Sequence, residues 1–160
     1  MRRALLLAML LAIQSFPVHA LSCLRPDPLA TYRAAEQARE PFVILYGTLD
    51  FDADLMPPYT SDIPIDAPIP VPATFTGRGL TDAGFTHRLE ASPITLRPEC
   101  AGNWCGGTAP ETPSLIFAEV SKQGWIVTLD ACPFWLFSNP PRDVLDTIAQ
   151  CFAGETCPAP

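Results

Sequence analysis

Between Cys100 and Cys132 the chain carries three of its six cysteines and its clearest β-hairpin, and no other stretch limits the fold as sharply. Ser114–Ser121 reads SLIFAEVS and Trp125–Asp130 reads WIVTLD. Between them Lys122-Gln123-Gly124 forms a short polar turn whose glycine suits a positive φ. Leu115, Phe117 and Glu119 fall on one face of the first strand; Ile116, Ala118 and Val120 fall on the other. The run Leu115–Ala118 is apolar without alternation. That predicts a strand covered on both sides, inside a small closed barrel or beneath a helix.

The first 20 residues read as a cleaved secretory signal. Arg2-Arg3 supply the positive start, Ala4–Ile13 the apolar centre, and Val18-His19-Ala20 the small-residue cleavage pattern. The apolar run is about half the roughly 20 residues needed to cross a bilayer, so no stable membrane span is expected after cleavage. A lipoprotein cut before Cys23 is disfavoured, because Ala20 stands where that signal has a large aliphatic residue. Residues 21–160 then make one domain, long enough to bury roughly two thirds of its unfolded surface. Export places it in the periplasm or outside the cell.

Losing Arg2 and Arg3 leaves eight basic residues against 17 acidic ones, a net charge of −9. That acidity argues against nucleic acid and anionic membrane surfaces as partners. All six cysteines, Cys23, Cys100, Cys105, Cys132, Cys151 and Cys157, follow the cleavage point. An even count in an exported domain reads as three disulfides, with 15 possible connectivities. Cys100-x4-Cys105 lacks the two-residue knuckle of zinc sites, and there is no Cys-x-x-Cys of the redox kind.

In chain order, Asp27–Ala38 is expected to be a helix with Asp27 as N-cap and Pro28 at its first position. Phe42–Phe51 is strand-like, and Gly47 within it suggests a bulge or sharp bend. Residues 52–72 hold six prolines and read as a long exposed loop rich in aspartate. Asp50, Asp52 and Asp54 resemble the opening of a calcium loop, but Leu55 and Ser61 replace its glycine and its final acid. Ala73–Leu80 and Thr86–Leu96 are expected strands, with Gly77, Gly79 and Gly84 as the turns between them. Phe134, Trp135, Leu136 and Phe137 read as a core plug. Arg142–Phe152 is an amphipathic helix, approached by Ser138 or Asn139 as a cap and ended by Gly154. No nucleophile or acid–base set emerges; His87 stands alone on a strand. No enzyme activity and no cofactor are expected.

The order of cysteine, helix, glycine-bearing strand, Cys-Gly loop, hairpin, cysteine and helix resembles the netrin-like module of tissue inhibitors of metalloproteinases and many exported bacterial proteins. Leu21-Ser22-Cys23, Phe42-Val43-Ile44-Leu45-Tyr46-Gly47, Cys105-Gly106, Ser114-Leu115-Ile116-Phe117-Ala118 and Cys132 carry the resemblance. It implies a mainly β fold with two flanking helices: a small closed five-stranded OB-like barrel, disulfide-stapled. The physical reading agrees, because about five strands bent at glycines need closure to remove their edges. The resemblance also implies that Cys23 pairs with Cys132. The spacings then leave Cys100 with Cys105 and Cys151 with Cys157 as local pairs, and Cys105 with Cys151 as the competing arrangement. It implies partner binding through Leu21, Ser22, Cys23 and Leu24. In the inhibitors the first cysteine is itself the mature N-terminus, whereas here Leu21 or Ser22 would precede Cys23. The expected function is a monomeric binding domain for another protein or an envelope component; protease inhibition is the alternative.

Overall fold

The structure, a computed structural model, describes residues 22–62, 65, 67–155, 157 and 158. The expected signal segment and Leu21 lie outside the described residues. Helix α1 spans Pro28–Gln37, and α2 spans Arg142–Phe152. The strands are β1 (Phe42–Asp50), β2 (Val71–Thr81), β3 (Gly84–Pro98), β4 (Cys100–Ala101), β5 (Trp104–Cys105), β6 (Ser114–Ser121), β7 (Gly124–Leu129) and β8 (Leu136–Ser138).

Five strands close a barrel in the order β1-β2-β3-β7-β6, with β6 returning to pair with β1. All neighbours are antiparallel except β3 and β7, which run parallel from Ile94↔Trp125 to Pro98↔Leu129. This is an OB-like barrel. Closure gives most of the barrel strands a partner on each side and removes most of the exposed backbone edge.

The unbroken apolar run of β6 follows from its place in that barrel. Ile116 and Ala118 point inward to a core with Leu45, Leu49, Phe75, Leu96 and Val127. Leu115 and Phe117 point outward, beneath the helices, to a second core with Tyr32, Ile44, Phe137 and Ile148. A strand buried on both faces has no polar side to alternate with.

Asp27 caps α1 through its carboxylate, which accepts from the Leu29 N–H at 2.9 Å, and Pro28 occupies the first turn. The Thr31 hydroxyl, fully buried, donates to the Phe134 carbonyl at 2.8 Å and ties the helix to the chain after β7. Burial, with the Glu36 carboxylate accepting its hydroxyl at 2.7 Å, pushes the Tyr32 phenol upward.

Several local expectations are corrected. Gly47 forms no bulge: β1 pairs in continuous register with β2 and with β6 through it. The irregularities lie instead between β2 and β3, at Phe75/Gly77 and Gly79/Leu80, and Ala91 in β3 has φ +48°. Gly77 and Gly79 are interior to β2, so Gly84 alone of the three supplies the turn. The cap of α2 is Pro141, without a side-chain bond; neither Ser138 nor Asn139 takes that role. Residues Leu136–Ser138 form β8, antiparallel to β6. Leu136 and Phe137 are buried, while Phe134 is 37% exposed, so the aromatic segment is only partly a core plug.

Candidate functional site

Three disulfides join Cys23 to Cys132, Cys100 to Cys105 and Cys151 to Cys157. The first links the described N-terminal end to the chain just past β7 and brings four segments to one rim of the barrel. The Cys23 sulfur lies 3.8 Å from the Ala131 carbonyl oxygen. The Leu129 carbonyl accepts from the Glu99 N–H, and the Glu99 carbonyl from the Gly106 N–H, both at 2.9 Å. Gly106 is required at this crossing, because a Cβ there would stand 2.0 Å from the Leu129 carbonyl oxygen. The small β4–β5 hairpin in turn holds the proline-rich loop. The Cys105 N–H donates to the Tyr59 carbonyl at 3.0 Å, and the Tyr59 ring meets Trp104 edge-on at 5.6 Å.

On this rim Ser22, Cys23 and Leu24, the described residues of the segment expected to meet a partner, are all exposed, and Leu24 reaches 92%. Leu21 lies outside the described residues. Leu55 and Tyr59 of the proline-rich loop are 54% and 62% exposed. Asp52 is occupied in capping the turn Ala53–Leu55, accepting from the Asp54 N–H at 3.0 Å. That engages the side chain of one of the three regularly spaced aspartates. Among the described residues, no group of three or more His, Cys, Asp or Glu is placed to hold a metal. His87 is exposed on β3.

Two clefts flank Asp130 at the end of β7. One, of about 310 Å³, separates β7 from β8 and is lined by Pro26, Gly107, Thr128, Asp130, Phe134 and Ser138, among others. The other, of about 320 Å³, lies over Phe117 and Trp135 and carries Arg97, Glu99, Glu119 and Glu40. Arg97 donates to the Thr128 hydroxyl at 2.7 Å. Its carboxylate neighbours Glu99 and Glu119 stand at 3.7 and 3.8 Å, ion-pair distances beyond hydrogen-bond reach. The Arg97 Nε and one Asp130 carboxylate oxygen are buried without a hydrogen-bond partner. Burial first, then the Glu99 charge, raises the Asp130 carboxyl above its ordinary value, against the opposing pull of Arg97. A larger open groove, of about 1010 Å³, lies elsewhere, between the β2–β3 turn and α2.

The sequence reading missed Asp130, Arg97 and Ser138 as site residues. Asp130 closes the run WIVTLD, where an acid reads as the ordinary polar end of a strand. In the fold it is half-buried, with Gly106 crossing close to its backbone carbonyl and Arg97, Glu99, Phe134 and Trp135 sharing the clefts around it. Comparison with protein-family models, with curated proteins and with solved structures finds no match for this chain. Its three disulfides fit an oxidising compartment, extracellular or periplasmic. No helix among the described residues is long and apolar enough to cross a membrane.

Proposed function

We propose that this chain is a netrin-like, exported and non-catalytic binding domain, released by cleavage after Ala20. It works as a monomer in the periplasm or outside the cell. Its partner is another protein or an envelope component, taken on the rim around Ser22, Cys23 and Leu24. One observation carries the reading: the Cys23–Cys132 disulfide pins a segment whose Leu24 is 92% exposed. A large apolar side chain held out on a cross-linked backbone loses little freedom on docking, which favours contact over mere exposure. The test is a photo-crosslinking amino acid at position 24 in the exported protein. A discrete adduct that excess unlabelled wild-type protein competes away, and a Leu24→Asp competitor does not, is expected. Adducts at Lys122, on the distant hairpin turn, with none at position 24 would overturn the assignment.

The resemblance to tissue inhibitors of metalloproteinases gives a second reading, in which the same pinned segment enters a protease cleft. Stoichiometric inhibition of a metalloprotease panel by the mature protein would favour it over binding alone.

A further inference from the structure

The barrel wall is split between β7 and β8. Strand β6 pairs with β7 only over Glu119–Ser121, and with β8 over Ser114–Ile116. Between these two stretches the Phe117 N–H turns to the Trp135 carbonyl, not to β7. The second half of β7 therefore has β3 on one side and the 310 Å³ cleft on the other. The same cleft borders the free side of β8.

The hydrogen-bond pattern fixes which groups of β8 face that cleft. The Trp135 carbonyl and the Asn139 N–H both bond toward β6, to Phe117 and Pro113. In an antiparallel pair such contacts alternate, so Phe137 also faces β6 while the N–H and C=O of Leu136 and Ser138 point away. Ser138 is exposed, and Phe134 and Pro26 complete the cleft wall with exposed apolar surface. The volume is at the lower end of ordinary ligand cavities, about 300–1,000 Å³. Three residues of β8 offer an edge about 10 Å long, enough for a short extended segment.

Charge selects the segment. Asp130 lines this cleft and its neighbour; Glu99, Glu119 and Glu40 line the neighbour, where Arg97 is the single cation among the lining residues. One oxygen of Asp130 has no hydrogen-bond partner. We infer that the cleft accepts an extended, basic peptide segment of a partner protein, which adds as a strand to the free edge of β8 and directs an arginine or lysine to Asp130. Main-chain bonds to Leu136 and Ser138 supply the attachment, and the basic side chain supplies the preference. The inference rests on the binding-domain reading and names its partner class.

The probe is acetyl-Val-Arg-Val-amide, titrated into isotopically labelled mature protein and followed by backbone amide shifts. Saturable shifts at Thr128, Leu136 and Ser138 are expected, and acetyl-Val-Glu-Val-amide should bind more weakly. Ser138→Pro removes an outward N–H and no ladder bond to β6, and should weaken binding about tenfold. The arginine peptide N-methylated at all three residues should lose binding with the protein unaltered, which covers a proline variant that folds poorly. Asp130→Asn should abolish the preference for arginine over glutamate. No saturable shifts at millimolar peptide, shifts confined to other surfaces, or equal binding of the N-methylated probe would overturn strand addition. Crosslinking at Leu24 is scored separately, so either idea can fall without the other.

Discussion

Gly47 and Gly77 stand opposite each other on β1 and β2, so close that a Cβ on Gly47 would lie 2.6 Å from the Gly77 Cα. The ring of Phe75 fills the space inside the barrel where both side chains would go, 2.9 and 2.7 Å from the two added carbons. One buried aromatic thus takes the place of two neighbours at this level of the core. Most of the atoms a new methyl would meet are backbone, which cannot yield by a rotamer change.

Gly47→Ala and Gly77→Ala are therefore expected to destabilise the domain by about 1–3 kcal/mol each through overpacking. Gly79→Ala is the control. It is buried on the same strand, but its added carbon would meet the Leu89 side chain at an ordinary 3.6 Å. Urea unfolding midpoints of the three variants test the argument. Equal losses at positions 77 and 79 would remove the close approach as the cause.

The same glycine shows where reading by sequence succeeds and stops. SLIFAEVS is legible because burial on two faces leaves a local mark, four apolar residues without alternation. Helix α2 is legible because its apolar spacing is local too. Gly47 was expected to mark a bulge or a sharp bend; it forms no bulge, and it faces a partner 30 positions later, which no window around it contains. Strand β8 is hidden by Pro133, Pro140 and Pro141 on either side of a three-residue element. Of the rim's long-range contacts, only the Cys23–Cys132 pair was anticipated. Asp130 gains its character from burial and from Glu99, 31 positions earlier, which spacing along the chain does not encode.

The three disulfides should differ in worth. Cys23–Cys132 closes a separation of 109 residues, against 5 and 6 for the local pairs. Chain-entropy closure gives about 4–5 kcal/mol for the long loop and about 2 kcal/mol for each short one. Replacing Cys23 and Cys132 together by serine should lower stability most, by an amount comparable to the whole stability of a small domain. Thermal unfolding of the three paired variants should rank them in that order. A local pair costing more than the long one would show that native-state packing, not loop closure, dominates.

Asp130 gives a pH dependence of known sign. Its folded carboxyl is raised above its ordinary value, by burial first and by Glu99 second. The folded state therefore holds that proton more tightly than the unfolded state. Its contribution is most favourable at low pH, declines as pH rises through the window from the ordinary aspartate value to the raised one, and is unfavourable above it. Asp130→Asn keeps the shape and removes the titration. The melting temperature of the variant minus that of the wild type should rise between about pH 3 and about pH 7. Carboxylates remote from Asp130 contribute equally to both proteins and cancel in the difference. A flat difference would mean that Asp130 is as well solvated folded as unfolded.

Leu24 separates a binding residue from a structural one. At 92% exposure it buries almost nothing in the free protein. Leu24→Ala should leave stability within about 0.5 kcal/mol of the wild type, the ordinary range for surface changes. Its neighbour Cys23 is expected to do the opposite, because removing it releases Cys132 and the whole segment. If the rim takes a partner, Leu24→Ala should weaken capture while the urea midpoint stays put, and Cys23→Ser should reduce both. Equal binding by Leu24→Ala and wild type, at equal stability, would move the contact off the N-terminal segment and leave the cleft between β7 and β8 to carry it.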